Sequence, residues 1–207
     1  MKTIKQGIEL ISVTPDALSV IEKAGRVCYK SEDKITDNSA ETFVRNIIKR
    51  GHESVLEHAS VSFKVTCDRG VSHELVRHRL ASFSQESTRY CCYANDKFNN
   101  ELTVIEPPGL DNVIVKSIWV NSMEHAESSY ISLINDGVSP QIARSVLPNC
   151  LKTEVIMTAN FREWRHVLKL RTSQAAHPQI REVMIMVHSW FTENLPVIVE
   201  DIVPFVK

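Results

Sequence analysis

The sequence predicts an α+β fold, a mixed and mainly antiparallel sheet packed with helices, in a single domain spanning 1–207. Three observations lead there. Segments with a two-residue apolar alternation and segments with helical spacing both occur, without the regular strand–helix alternation of a doubly wound sheet. The chain has 207 residues, a length that fits one domain. No internal repeat, linker or low-complexity tract divides it.

Ile4 to Val13 reads as an opening strand, and Thr14-Pro15-Asp16 as a helix start with proline at the first helical position. Leu18, Ile21, Ala24 and Val27 recur at helical spacing behind it. Ser39 is placed to cap a second helix carrying Phe43, Ile47 and Ile48, stopped by Gly51. Ser54-Val55-Leu56-Glu57 fits a capping box. Val61 to Thr66 alternates as a half-buried strand does. Asp68 is placed to cap a helix that carries Val71, Leu75 and Val76 into Arg77-His78-Arg79. Thr103 to Ile105 is a short strand ended by Pro107-Pro108-Gly109.

A long helix is predicted over Asn112 to Asn135, closed by Asp136-Gly137. Ser139-Pro140 opens a short helix through Arg144, and Pro148 stops it. Lys152 to Thr158 is the last strand. Helices follow over Phe161 to Arg171 and Pro178 to Asn194, with Val183, Met184, Val187, Trp190 and Phe191 expected in the core or a subunit interface.

Composition narrows the function. Apolar content of 43% and charged content of 24% suit a soluble globular protein. A net charge of −1 argues against general affinity for nucleic acid or an anionic membrane, so any phosphate binding must come from local clusters. The five cysteines are odd in number and form no C-x-x-C pair, which disfavours a disulfide framework or a zinc site. With no signal-like apolar run at the start and no segment suited to span a bilayer, a cytoplasmic location is expected.

Arg77 to Tyr90, R-H-R-L-A-S-F-S-Q-E-S-T-R-Y, is the densest stretch of chemistry. Guanidinium groups are costly to bury without anionic partners, and their planar forks match phosphate oxygens two at a time. The segment therefore reads as an anion site, with serine and threonine hydroxyls as neutral donors around the same ligand. A solvated helix end followed by a polar loop is the plainer alternative. On a helix running into this stretch, His73 and Arg77, and likewise Glu74 and His78, would share a face. The segment G-H-E-S-V-L-E-H from Gly51 to His58 lacks the H-E-x-x-H spacing of a zinc-binding helix, so Glu57 and His58 read as a capping glutamate and a hydrogen-bonded histidine. Asn160 is placed to cap the helix of Arg162 and His166, which lie one turn apart on one face. No G-x-G-x-x-G follows a strand, which disfavours a Rossmann site.

Arg77-His78-Arg79, then seven residues, then Ser87, with Arg89 and Tyr90 behind it, resembles the signature of flavin-dependent thymidylate synthases. The blocks around His52 and Arg171 resemble further family blocks in the same order, from roughly Gly25 to Arg181. The resemblance implies reductive methylation of dUMP to dTMP, with 5,10-methylenetetrahydrofolate as carbon donor, NADPH as reductant and FAD as cofactor. It implies a homotetramer whose sites combine residues of several subunits, with no metal.

By the same resemblance, Ser54, Arg77, His78, Arg79, Gln85, Asn160, Arg162 and His166 belong to FAD. Glu74, Arg77, Gln85, Glu86, Ser87, Thr88, Arg89, Arg144 and Arg171 belong to the nucleotide, and His52 lies near flavin and folate. Arg89 and Arg144 would take the substrate phosphate. Arg171 would stabilise an anion at N3 of the pyrimidine and so enrich C5 in electrons. Its plainer alternative is an arginine satisfying helix C-terminal carbonyls. Ser87 reads as a positioner, since a serine nucleophile needs an adjacent base and the family activates the pyrimidine without covalent attack. Departures from relatives stand at Glu74, where many carry glutamine, at His166, and at His177-Pro178. Glu74 keeps open a flavoenzyme acting on another pyrimidine nucleotide such as dCMP. A nucleotide- or RNA-binding regulator without catalysis is the rival of another class.

Overall fold

The computed structural model describes residues 1–206. The predicted opening strand is divided in two. β1 (Lys2–Ile4) pairs in parallel with β5 (Thr103–Ile105), Lys2 opposite Thr103 and Ile4 opposite Ile105. β2 (Gly7–Val13) instead begins a four-stranded sheet with β3 (Ser60–Asp68), β6 (Lys152–Asn160) and β4 (Ala81–Gln85), in the order β2-β3-β6-β4. The break falls at Lys5-Gln6-Gly7, where glycine weakens a continuing strand.

β3 and β6 run antiparallel. Ser62 Oγ lies 2.7 Å from Thr158 Oγ1, and beyond the strand ends the Arg69 amide donates to the Asn149 carbonyl at 3.1 Å, so one index rises as the other falls. Val61, Phe63 and Val65 of β3 are fully buried while Lys64 and Thr66 are only partly so, as the alternation predicts; Ser62 is the exception, buried against Thr158. No strand was predicted over β4, for whose residues a polar loop was the plainer alternative. It is a strand whose half-buried Ala81, Phe83 and Gln85 alternate with exposed Ser82 and Ser84, so period two is present but carried largely by hydroxyls.

The helices are α1 (Ala17–Val27), α2 (Ser39–Lys49), α3 (Arg69–Leu75), α4 (Val113–Asn135), α5 (Pro140–Ala143), α6 (Phe161–Arg171) and α7 (Pro178–Asn194). α1 starts two residues after Pro15, because Asp16 takes a left-handed conformation (φ 49°) ahead of it. Asn38, not Ser39, holds the N-cap position of α2, and Gly51 at φ 71° ends that segment. Ser54 to Glu57 does not form the predicted capping box: residues Glu53–His58 make a 3₁₀ turn with no side-chain cap bond, and Glu57 pairs with Arg162 instead.

Asp68 does cap α3, its Oδ1 accepting from the Val71 amide at 2.7 Å. α3 stops at Leu75, however, before the R-H-R block, so the expected shared faces of His73 with Arg77 and of Glu74 with His78 do not form. Asn112 caps α4 through the amides of Ile114 and Val115, and Gly137 at φ 84° follows its end. α5 gives way to a 3₁₀ turn at Arg144–Val146, ahead of Pro148.

The chain divides into two compact units. The first comprises Met1–Gly7, Val65–Leu75 and Ser84–Val155; the second comprises Ile8–Lys64, Val76–Phe83 and Ile156–Lys207. In the first, Tyr93, Leu102, Tyr130, Ala143 and Leu151 form a core, and Tyr130 accepts from the Tyr93 amide at 3.3 Å. Tyr130 is the buried residue of α4, whose Val113, Ile114 and Ile118 are exposed.

The second unit is built around aromatic rings. Phe63 meets Trp164 and Trp190 edge-on at 5.5 and 5.1 Å, and Phe161 meets Phe191 at 5.7 Å, geometries that suit the ring quadrupoles. Trp164 donates its indole N–H to the Val61 carbonyl at 3.0 Å, which satisfies the polar edge of a fully buried ring. Val183, Met184, Val187 and Phe191 of α7 are core, and Trp190 is half-buried. Among the described residues no helix is long and apolar enough to cross a membrane.

Candidate active site

In the second unit the site forms on α6 and the turn after α3. Asn160 caps α6 by accepting from the Glu163 amide at 2.8 Å, at the end of the helix where the backbone dipole is positive. Asn160, Arg162 and His166 line one cavity of about 590 Å³, together with Leu80 and Lys169. Arg77 and Arg79 stand exposed on either side of buried His78. Arg162 is held at 2.5 Å by Glu57, with both groups about half exposed, so an incoming anion has a carboxylate to displace. His52 and Ser54 are exposed in and beside the Glu53–His58 turn.

His78 is the buried hub of this unit's polar residues. Its Nε2 accepts from Arg171 Nε at 3.0 Å, so the ring proton must sit on Nδ1, which lies 3.6 Å from the Glu163 carboxylate. Burial, and then the charges of Arg171 and His166, push the His78 imidazolium down to about 4. The His78–Glu163 contact is therefore that of a neutral imidazole, not an ion pair. Burial pushes the Glu163 carboxyl upward, with His166 opposing.

The unfolded chain protonates His78 below its ordinary pKa of about 6.5 and the folded chain only near 4. Stability tied to this group is thus present above about pH 6.5 and is lost as pH falls toward 4. Glu163 acts in the opposite sense, since its raised pKa favours the folded state as acid is added. Thermal melts of the parent and His78→Gln across pH 4–7 should show a steeper acid loss in the parent. Parallel profiles would contradict this account of His78.

His78, Glu163 and His166 bring potential ligand atoms within 4.8 Å of one another. His78 Nε2 already accepts from a guanidinium, which would repel a metal held at that atom.

In the first unit, Arg144 Nη1 donates to Thr88 Oγ1 at 3.4 Å, and both line a cavity of about 670 Å³ with Arg69 and His73. Arg69 Nη1 is buried without a hydrogen-bond partner, a costly state for a cation that an anionic ligand would relieve. Ser87 Oγ accepts from the Arg89 amide at 3.3 Å. Arg89 is exposed beside the Tyr90 ring.

Gln85 donates its amide to Ser72 Oγ at 3.0 Å and Thr153 Oγ1 at 3.2 Å. Ser72 gives its own proton to the Arg69 carbonyl, so it can only accept from Gln85, and the carboxamide orientation is set. Glu86 is held by protein partners. Its carboxylate takes the Tyr93 hydroxyl at 2.9 Å and Lys152 at 3.0 Å, lining a separate cavity of about 200 Å³. Glu74 is half-buried in the last turn of α3. The first unit thus holds Glu74, Gln85, Glu86, Ser87, Thr88, Arg89 and Arg144, and the second holds His52, Ser54, Arg77, His78, Arg79, Asn160, Arg162, His166 and Arg171.

Sequence reasoning missed Arg69 and Glu163. Arg69 follows the Asp68 cap directly, and a cation in the first turn, where the helix dipole disfavours it, is the signal that could have found it. Glu163 was read only as the receiver of the Asn160 cap.

The fold is α+β, with Arg69 and Arg144 lining one cavity, Arg162 and Arg165 lining another, and half-buried Arg171 held on buried His78. The family model described as "Thymidylate synthase complementing protein" matches residues 9–197. The flavin-dependent thymidylate synthase of Mycolicibacterium gilvum (strain PYR-GCK) is 38% identical over 186 residues, covering 81% of this chain and 72% of that one. That of Geobacter sulfurreducens is 36% identical over 187 residues, covering 86% and 78%. Among solved structures, the UMP/dUMP methylase PolB from Streptomyces cacaoi, bound with 5-Br dUMP, superposes with a TM-score of 0.81 at 25% identity, covering 97% of this chain and 96% of that one. The chain belongs to the thymidylate synthase complementing protein family, among whose members are the flavin-dependent thymidylate synthases.

Proposed function

We propose that this chain is a flavin-dependent thymidylate synthase that methylates dUMP at C5 to give dTMP, taking the carbon from 5,10-methylenetetrahydrofolate and reducing power from NADPH. The observation that carries this reading is the cavity of Arg69, Arg144 and Thr88. It offers a buried guanidinium nitrogen without a partner beside a second arginine and a hydroxyl, a donor set suited to a nucleotide phosphate. Ser87 and Arg89 lie on the same turn as Thr88 and supply an adjacent hydroxyl and guanidinium.

Arg77, Arg79, Arg162 and the N-terminus of α6 fit the pyrophosphate of FAD, which supplies the hydride chemistry that no protein side chain carries. The chain's own residues bind and orient. Arg171 offers positive charge to an anion developing at N3 of the pyrimidine, and His52 borders flavin and folate. The 207 residues act as one functional domain within a cytoplasmic homotetramer.

A product assay with dUMP, methylenetetrahydrofolate, NADPH and FAD, each omitted in turn, tests the reaction. UMP and dCMP in place of dUMP test its nucleotide. dTMP should form only in the complete dUMP mixture, and faster turnover of dCMP would replace the substrate. Replacing Arg77, Arg79 or Arg162 with alanine should weaken flavin binding roughly ten- to hundredfold each, with Arg162 at the low end because Glu57 already answers its charge. Flavin absorbance retained on gel filtration reads the effect. Undiminished occupancy in all three variants would remove the assignment.

A further inference from the structure

We propose that the buried pair His78–Glu163 is the positioning device of Arg171, with His78 accepting the Nε–H of the guanidinium and so fixing the plane in which that group meets its ligand. The inference rests on the role given to Arg171 above and goes beyond it, because it names the residues that aim the charge.

The geometry carries it. Arginine is planar from Nε through both terminal nitrogens, so an acceptor held at Nε sets the tilt of the whole fork. The acceptor here is His78 Nε2 at 3.0 Å, on a residue only 5% exposed. An exposed acceptor would exchange with water and hold the arginine loosely; a buried ring cannot rotate freely. Nδ1 faces the Glu163 carboxylate, itself 6% exposed and placed in the first turn of α6. Arg171 ends that same helix, so Glu163 and Arg171 approach the imidazole from the two ends of one rigid element.

Among the described residues, Arg171, His166 and Glu163, all on α6, face His78 with charged or titratable side chains. His166 lies with its ring 6.0 Å away. Arg171 and His166 place positive charge beside the ring and oppose its protonation, which keeps the Nε2 lone pair available. Were His78 to gain a proton, acceptor would become donor and two cations would face each other. The device is thus intact in neutral solution and fails as pH falls toward about 4.

The test compares His78→Phe, which fills the space but offers no acceptor, with His78→Gln, whose side-chain oxygen can replace Nε2. Each is made in the parent and in Arg171→Ala, and oxidation of the reduced flavin by dUMP and methylenetetrahydrofolate is followed at saturating flavin and nucleotide. His78→Phe should lower the rate at least about tenfold with dUMP affinity little changed, and His78→Gln should recover most of it. In the Arg171→Ala background neither change should cost more, since the residue they aim is gone. Losses that multiply in the double variant, or a His78→Gln as slow as His78→Phe, would overturn the proposal.

If His78→Phe does not fold, Glu163→Leu serves instead: it removes the carboxylate that Nδ1 faces and should lower the rate in the same direction, without further loss in Arg171→Ala. A parent that shows no dUMP-dependent oxidation would defeat the functional reading instead. Positioning is then judged by the exchange rate of the Arg171 Nε proton in nitrogen-15 spectra. Slow exchange in the parent that becomes fast in His78→Phe, or in Glu163→Leu where His78→Phe does not fold, supports the pair, and fast exchange in the parent refutes it.

Discussion

Arg171→Ala should slow flavin oxidation by dUMP and methylenetetrahydrofolate on the order of a hundred- to thousandfold, while dUMP binding weakens far less. The asymmetry follows from where the charge is needed. A guanidinium braced through Nε on buried His78 is preorganised, so it stabilises negative charge as it develops without first reorienting. Its contact with the neutral ground-state pyrimidine is worth much less. Rapid mixing at saturating nucleotide isolates the rate, and titration of nucleotide into the oxidised enzyme isolates binding. Equal losses in both would make Arg171 a simple binding residue, satisfying helix C-terminal carbonyls or the ligand's ground state.

Arg165→Met should cost about 3 kcal/mol of folding stability, the low end for breaking a buried ionic network. Arg165 is 1% exposed, and each of its five N–H groups has an acceptor. Nε and Nη2 reach Glu53 at 3.2 and 3.1 Å, Nη1 and Nη2 reach Asp201 at 2.7 and 2.8 Å, and Nη1 also donates to the Ile198 carbonyl. Methionine fills much of the volume but takes Arg165 away from Glu53 and leaves Asp201 with Lys169, 3.5 Å away. Both carboxylates keep access to water, which is why the low end applies.

The Arg165 hydrogen bonds hold the Asp201 carboxyl down at about 2. The stability this adds is present above the ordinary carboxylate range and is lost as pH falls toward 2, a component that Arg165→Met should remove. Urea denaturation at neutral pH and near pH 3 measures both, and a loss below about 1 kcal/mol would show the network to be neutral.

The helices were the most legible part of the fold because their ends are written in cap residues. Asn112, Asn160 and Pro178 mark the starts of α4, α6 and α7, and the predicted spans agree with the structure within a residue. What failed were readings that depended on tertiary context. α3 was extended through Arg77 because nothing local stops it, yet the chain turns after Leu75 and buries His78. β4 was hidden because its alternation is carried by serines and glutamine, residues that hydropathy reads as loop.

The site shows the same divide. Arginine and hydroxyl density pointed to Arg77 through Arg89 from composition alone, and the family resemblance added Asn160, Arg162, His166 and Arg171. The partners of these groups were not legible. Glu57 on Arg162, Lys152 on Glu86, and His78 on Arg171 are contacts between residues far apart in sequence, made by packing.

The most direct test of the proposed reaction is anaerobic. The enzyme is reduced with NADPH, freed of excess reductant and mixed with dUMP and methylenetetrahydrofolate, while flavin absorbance and nucleotide products are followed together. The account predicts that the absorbance of oxidised flavin returns with roughly one dTMP formed per flavin, and only when both substrates are present. dTMP formed while the flavin stays reduced, or flavin reoxidised by dUMP and folate with no methylated nucleotide, would contradict it.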